Sequence, residues 1–178
     1  MKYLLFFLLF LSALFAEDKL GSFLNAYQDN NHQLACKIGR DIYRSELRDE
    51  ALLIAIGQSC AQDDYIDFNA HLQQRLGASM DSRRAAVYFS TLILQKRLLS
   101  QFMSEDVDLS HYSLPKTDHI LSIVFEAIKN KRYTVLSVKP KHLRIGNEDN
   151  YIELFIEKKI HVDVYQNRTK IQEHRYRR

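Results

Sequence analysis

The stretch YIELFIEKKIHVDVYQ, residues 151–166, decides the fold class of this chain. Apolar and polar residues alternate before and after the pair Lys158 and Lys159. This alternation has the period of a half-buried β-strand, and the two lysines mark a turn between two such strands. The alternation predicts a hairpin with one apolar face, formed by Ile152, Leu154, Ile156, Ile160, Val162 and Val164. The opposite face is expected to be exposed to solvent. It carries Glu153, Glu157, His161 and Asp163.

Further strands flank this hairpin on both sides. After Arg132 the chain supplies three more alternating or β-branched segments, YTVLSV, HLRI and TKIQEH. The joints KPK, GNEDN and NR between the segments are typical of turns. Residues 132–178 are therefore predicted to form a small antiparallel β-meander.

In the part of the chain before Arg132, the apolar residues recur with the period of an α-helix. Apolar residues recur every three or four positions between Lys19 and Lys131, as the series Leu34, Ile38, Ile42 illustrates. This spacing predicts helices near 18–29, 31–45, 48–62, 64–77, 82–104 and 118–131. Short polar breaks favour antiparallel neighbours. The predicted fold class is α+β, with antiparallel helical hairpins followed by the C-terminal meander.

The helical part aligns with itself at an offset of 34 residues. Gln28 falls on Gln62, and the apolar series that begins at Leu34 falls on Phe68, Leu72 and Leu76. Helical hairpins at this period resemble tetratricopeptide-type repeats, here over residues 18–104. The stretch QDDYIDF looks like the turn inside such a unit, with Tyr65 at the usual aromatic position. The resemblance implies a groove that binds peptides or partner proteins.

The N-terminus predicts export. MKYLLFFLLFLSALFAEDK has a Lys at position 2, an apolar run of 13 residues and a small residue, Ala16, before the first acids. This pattern is typical of a cleavable secretory signal, since a membrane-spanning helix needs roughly 20 residues; an uncleaved anchor is the alternative. The expected mature location is the periplasm. The predicted division is a signal peptide at 1–16, a helical repeat-like domain at 17–131 and the meander with a basic tail at 132–178.

The only two cysteines, Cys36 and Cys60, are predicted to form a structural disulfide. Predicted helices 31–45 and 48–62 make an antiparallel hairpin that turns near Leu47. Cys36 lies 11 residues before that turn and Cys60 lies 13 after it, so the two are nearly level. The oxidising environment of an exported chain favours the bond. The alternatives are two unpaired thiols, a metal ligand or a nucleophile.

A search for catalytic patterns is mostly negative. His32 and Cys36 share a helical face as two metal ligands do, but a closed zinc site needs two more. The sequence contains no phosphate-binding loop, no G-x-S-x-G and no H-E-x-x-H. Asp63, Asp64 and Asp67 fit either an acid–base pair or the capping of a helix start. We therefore assign no catalytic, cofactor-binding or metal-binding residue.

Charge is unevenly distributed along the chain. Residues 17–128 hold 11 Lys plus Arg against 16 Asp plus Glu, while 129–178 hold 13 against 6. The basic end predicts a contact with an anionic lipid, a cell-wall polymer or an acidic protein patch, made by Arg168, Lys170, Arg175, Arg177 and Arg178. A solvated tail is the alternative. The expected periplasmic location argues against nucleic acid.

These features favour a non-enzymatic interaction or scaffold protein of the bacterial cell envelope. It is expected to bind a partner protein through its helical body and to need no cofactor. The alternative is an enzyme or accessory factor that acts on cell-envelope material. Polar residues clustered in a deep cleft between helices and sheet would favour that alternative.

Overall fold

A computed structural model describes residues 19–44 and 49–178 of the chain. The predicted signal peptide at 1–16 and the predicted turn near Leu47 lie outside the described residues. Within them, six α-helices precede a five-stranded antiparallel sheet, which confirms the predicted α+β class. No helix in these two ranges combines the length and the apolar character that crossing a membrane requires.

The α-helices begin and end close to most of the predicted positions. They are α1 at residues 19–28, α2 at His32–Tyr43, α3 at Glu50–Gln62, α4 at Asn69–Leu72, α5 at Met80–Glu105 and α6 at Ile120–Lys129. The carboxamide of Asn31 accepts the N–H of Leu34 at the start of α2. Asp49 accepts the N–H of Leu52 at the start of α3 in the same way. Such caps satisfy amides that have no partner inside the helix.

The segment predicted as one helix over 64–77 is irregular. It consists of α4 and, on either side of it, 3₁₀ turns at Ile66–Phe68 and Gln73–Arg75. The residues that this segment buries include Ile66, Asn69, Leu72 and Leu76. The side chain of Asn69 donates to the carbonyl of Gly57 at 3.2 Å and ties this segment to α3.

Helices α2 and α3 approach each other closely through small residues. A Cβ placed on Gly39 would lie 2.7 Å from Cγ1 of Ile56, so only glycine fits there without movement. The buried side of α2 consists of Ala35, Cys36, Gly39 and Ile42. Leu34, which the periodicity places on the apolar stripe, is 43% exposed. Cys36 and Gly39 contact Cys60 and Ile56 of α3 directly.

The start of α5 is held by side chains on both sides of it. The hydroxyls of Ser79 and Ser82 each accept the other residue's backbone N–H. The carboxylate of Glu50 accepts three consecutive N–H groups, from Gly77 at 2.8 Å, Ala78 at 2.9 Å and Ser79 at 3.2 Å. These bonds, led by those from Ala78 and Gly77, lower the pKa of Glu50 to about 2.

The sheet is a meander in which each strand pairs with its neighbours in sequence. Its strands are β1 at Thr134–Val138, β2 at Lys141–Gly146, β3 at Tyr151–Ile156, β4 at Lys159–Gln166 and β5 at Thr169–Arg177. The register pairs Ile152 with Val164, Leu154 with Val162 and Ile156 with Ile160. These six residues therefore share one face, as the alternation predicts.

The chain divides into two compact units between Ala86 and Val87, inside α5. The first unit contains α1 to α4, and the second contains α6 and the sheet. The predicted boundary between 131 and 132 marks a different feature, the change from helix to strand. In the second unit, the buried ring of Tyr176 on β5 lies 6.1 Å from the ring of His119, the N-cap of α6.

Candidate functional site

Cys36 and Cys60 are bonded to each other. Their Sγ atoms lie 2.07 Å apart and their Cα atoms 4.7 Å apart. Both residues are buried, Cys36 on α2 and Cys60 on α3. This is the pairing that the sequence predicts. In this state neither sulfur is a thiolate, so neither supplies the metal ligand or the nucleophile considered as alternatives.

The other residues considered for chemistry do not form a centre. Across residues 19–44 and 49–178, no three His, Cys, Asp or Glu side chains are grouped so as to hold a metal ion. Asp63 is the C-cap of α3, where burial and then the charge of Asp64 raise its pKa. The helical turn that follows begins at Ile66 with Tyr65 as N-cap and has no side-chain cap.

The basic residues predicted to bind an anionic partner lie in the turn before β5, in β5 itself and directly after it. Arg168 lies in that turn and donates from Nε to the carboxylate of Asp149 at 2.9 Å. Arg177 ends the strand, Arg178 follows it, and both are exposed. In the described part of the chain neither of these two makes an ion pair.

Asp163 and Glu173 pair with the other two basic residues of this set, Lys170 and Arg175. The side chain of Asp163 is 4% exposed, with Nζ of Lys170 2.7 Å from one carboxylate oxygen and Nη1 of Arg175 in contact with the other. Burial opposes the ionisation of Asp163, but the hydrogen bonds from Arg175 and Lys170 outweigh it and lower its pKa. Glu173 accepts from Arg175 at 2.9 Å. The charges of Lys170 and Arg175 are therefore compensated inside the sheet.

Aromatic rings fill much of the remaining polar face of the sheet. Tyr151 stacks on Tyr165, and Phe155 stacks on His161, each pair with ring centroids 4.5 Å apart. Burial, and then the charge of Arg175, lower the pKa of His161. The expectation of a simply solvated face misses this network, because alternation alone does not distinguish exposed residues from half-buried ones.

A pocket of about 580 Å³ opens between α6 and β2. Strand β1 pairs with β2 only as far as Arg144, so β1 does not cover Ile145 and Gly146. The lining includes three cations and three apolar residues, Lys131, Arg132, Arg144, Ile123, Ala127 and Ile145. Among the residues that the structure describes, no carboxylate lines it.

Strand β1 forms an exposed edge of the sheet with no charged residue. Only β2 lies beside it in the described part of the chain. Three of its five side chains are large, apolar and exposed: Val135 at 51%, Leu136 at 43% and Val138 at 70%. The other edge, β5, carries four charges, those of Lys170, Glu173, Arg175 and Arg177. Charge on an edge strand discourages pairing with another chain, and β1 lacks that protection.

Comparisons of the chain with family models, with curated proteins and with solved structures gave no match. The resemblance to tetratricopeptide-type repeats therefore stays a prediction. The class that the fold and surfaces define is an α+β protein with a disulfide-linked helical hairpin and an open-edged antiparallel sheet.

Sequence reasoning missed the pocket and the exposed edge. A signal for the edge was available, since TVLSV at 134–138 is uncharged while the last strand is not. The pocket depends on where the pairing of β1 with β2 stops, and that position has no marker in the sequence. The side chains of α6 and β2 that meet there are separated in sequence by the turn at 130–133 and by β1.

Proposed function

We propose that this protein is an exported, non-enzymatic interaction component of a bacterial cell envelope. Its partner is a protein that adds an extended strand to the outer edge of β1. The observation that carries the proposal is the exposed and uncharged edge formed by Val135, Leu136 and Val138. Edges of this kind pair readily with other chains, and proteins normally cover or charge them.

Strand addition suits this edge for two physical reasons. The N–H and C=O groups on the outer side of an edge strand are ready to form a ladder with an incoming strand, which supplies affinity. The exposed side chains of Val135, Leu136 and Val138 offer apolar contacts to the partner, with a β-bulge at Leu136 interrupting the regular alternation. We expect a partner segment that is extended, apolar at alternate positions and poor in basic residues, because Arg132 and Lys139 flank β1.

The proposed location is the periplasm. The disulfide between Cys36 and Cys60 supports an oxidising compartment, in which such bonds persist. The signal-like N-terminal sequence supports export independently of the disulfide.

The helical body is a second proposed contact surface. On α1, Phe23 and Ala26 are buried, whereas Leu20 and Leu24 are 38% and 43% exposed. These two leucines are one helical turn apart and therefore form a short apolar stripe. A contact there is what the resemblance to tetratricopeptide-type repeats implies.

Electrostatic attraction is proposed to have a smaller role than the sequence suggests. Arg168, Lys170 and Arg175 are already paired with acids, which leaves Arg177 and Arg178 as the cations of the set with no ion pair among the described residues. The alternative of an envelope-directed enzyme would place its chemistry in the pocket beside α6. In the described part of the chain, that lining supplies cations and the hydroxyls of Tyr133 and Thr134 but no carboxylate, imidazole or thiol, so it favours binding.

A pull-down from the native cell with matched variants tests the proposal. Val138→Lys places a charge on the β1 edge, and Ile171→Lys makes the same kind of change on the β5 edge, where Ile171 is 51% exposed. We expect a protein to copurify with the wild-type and Ile171→Lys chains. Its recovery with the Val138→Lys chain should be at least tenfold lower. Equal recovery with both variants would contradict the proposed edge contact.

A further inference from the structure

The pocket between α6 and β2 is lined by positively charged side chains, two of which have no structural role in the described part of the fold. The last carbonyls of α6 accept backbone N–H groups, with Arg132 N bonded to Ala127 O at 2.8 Å and Lys131 N to Ile128 O at 2.9 Å. The side chains of Lys131 and Arg132 are therefore not needed to cap the helix. Among the described residues neither side chain forms an ion pair.

The third cation of the pocket, Arg144, already makes contacts within the sheet. Nη2 of Arg144 donates to Glu153 at 3.1 Å, and its guanidinium lies 4.3 Å from the centre of the Tyr151 ring. Its Nε is buried and has no hydrogen-bond partner among the residues that the structure describes. The guanidinium of Arg144 is therefore committed to the polar face of the sheet, beside Glu153 and Tyr151.

Asp108 lies near Lys131 but does not neutralise it. The N–H and hydroxyl of Ser110 lower the pKa of Asp108, and the charge of Lys131 makes a small further contribution. Asp108 is not among the residues that line the pocket. Its carboxylate is already bonded to Ser110, at 3.0 Å from the N–H and 2.8 Å from the hydroxyl. No acid of the lining therefore neutralises Lys131 and Arg132 among the residues that the structure describes.

The rest of the lining is apolar. Ile123 is 52% exposed although it lies on α6 among buried neighbours, and Ala127 and Ile145 continue the same wall. The volume of about 580 Å³ falls within the range of roughly 300 to 1,000 Å³ found for small-ligand sites. A ligand that fits this lining carries negative charge at one end and an apolar part at the other.

We propose that this pocket binds an amphiphilic anion, in which one carboxylate or phosphate group is attached to an apolar chain or ring. Lys131 and Arg132 bind the anionic group, and Ile123, Ala127 and Ile145 contact the apolar part. The site is independent of the strand addition proposed for β1, so either proposal can fail without the other.

The chain has no tryptophan, which makes a local fluorescence reporter available. Tyr133→Trp places a single tryptophan in the pocket lining, and Tyr112→Trp places one on an exposed loop outside it. Ile123→Trp is a second pocket reporter for the case in which Tyr133→Trp does not fold, because Ile123 is already half exposed. Each protein is titrated with octanoate, with octyl phosphate and with uncharged octanol.

We expect a saturable change in the tryptophan emission of the Tyr133→Trp or Ile123→Trp protein with octanoate or octyl phosphate, and none for the Tyr112→Trp protein. Adding Arg132→Glu should weaken binding at least fivefold, because it reverses a pocket charge while the backbone cap at this residue is kept. Arg178→Glu makes the same charge change outside the pocket and should alter affinity less than twofold. An equal response to octanol, an equal effect of Arg178→Glu, or no saturable response from either pocket reporter would overturn the proposal.

Discussion

Gly39 of α2 lies so close to Ile56 of α3 that a methyl group on Gly39 would stand 2.7 Å from Cγ1 of the isoleucine. The disulfide lies beside this contact, because Cys36 is three residues before Gly39 and Cys60 is four residues after Ile56. One helical turn of α2 therefore holds both the closest approach and the covalent link between the two helices.

Gly39→Ala should destabilise the protein by about 1 to 2 kcal/mol, because the buried Ile56 side chain must move and the better helix propensity of alanine offsets only part of that cost. Gly21→Ala is the matched control. Gly21 lies in α1 with nothing within 4 Å of an added Cβ, so this change should stabilise by about 0.5 to 1 kcal/mol. Urea unfolding midpoints measure both effects.

A double-mutant cycle separates this contact from a general effect of the substitution. Ile56→Ala should cost less in the Gly39→Ala protein than in the wild type, because it removes the atoms that clash. Strictly additive effects, or a Gly39→Ala protein as stable as Gly21→Ala, would show that the close approach does not limit residue size at position 39.

Removing the disulfide should lower the melting temperature. The bond joins residues 24 apart in sequence, and closing a loop of this length is worth about 3 kcal/mol in the chain-entropy model. A loss of that size corresponds to roughly 6 to 12 °C in melting temperature for a chain of this length.

The test compares the wild type, with and without reductant, against a chain carrying Cys36→Ala and Cys60→Ala. Reductant should lower the wild-type midpoint and leave the variant unchanged, whereas full alkylation of both thiols in unreduced native protein would refute the bond.

The hairpin was predictable from the sequence because local rules determine it. Asn31 and Asp49 are strong N-cap residues, and the spacing of the cysteines follows from helical rise. The side that α2 buries was less predictable. Leu34 is the larger apolar residue, but close packing on α3 favours the small residues of α2, and that preference depends on the partner helix and not on local periodicity.

Glu50 should make stability depend on pH in the acid range. Its pKa falls from an ordinary value of 4.5 to about 2 in the folded state, so its contribution is complete above pH 4.5 and is lost as the pH falls toward 2. Glu50→Gln should flatten the dependence of unfolding free energy on pH over that interval. Glu105→Gln, on the last turn of α5, is the control. An unchanged slope for Glu50→Gln would contradict the three backbone hydrogen bonds assigned to this carboxylate.

Asp163→Asn should destabilise the sheet by about 3 kcal/mol, because it leaves the cations of Lys170 and Arg175 without their shared buried partner. Glu148→Gln removes an exposed carboxylate 3.6 Å from Arg168 and should change stability by less than about 0.5 kcal/mol. Chemical unfolding of both variants provides the comparison. Equal effects would mean that the Asp163 network is no stronger than a surface ion pair.

The charged end of the chain illustrates what the sequence alone cannot determine. Arg168, Lys170 and Arg175 look like an unopposed basic segment when read along the chain, but their partners Asp149 and Asp163 come from earlier turns and strands. Cross-strand register brings these charges together, and register depends on the whole meander. The same holds for the β1 edge, whose exposure follows from its position in the strand order.

The most direct test of the proposed interaction is site-specific photo-crosslinking in the native cell. A photoreactive benzoylphenylalanine replaces Val138 on the β1 edge in one chain and Ile171 on the β5 edge in another, since both side chains are more than half exposed. We predict a discrete adduct with a second protein from position 138 and at most a trace of it from position 171. Adducts of equal yield from both positions, or an adduct from position 138 that contains only this chain, would contradict a partner strand on β1.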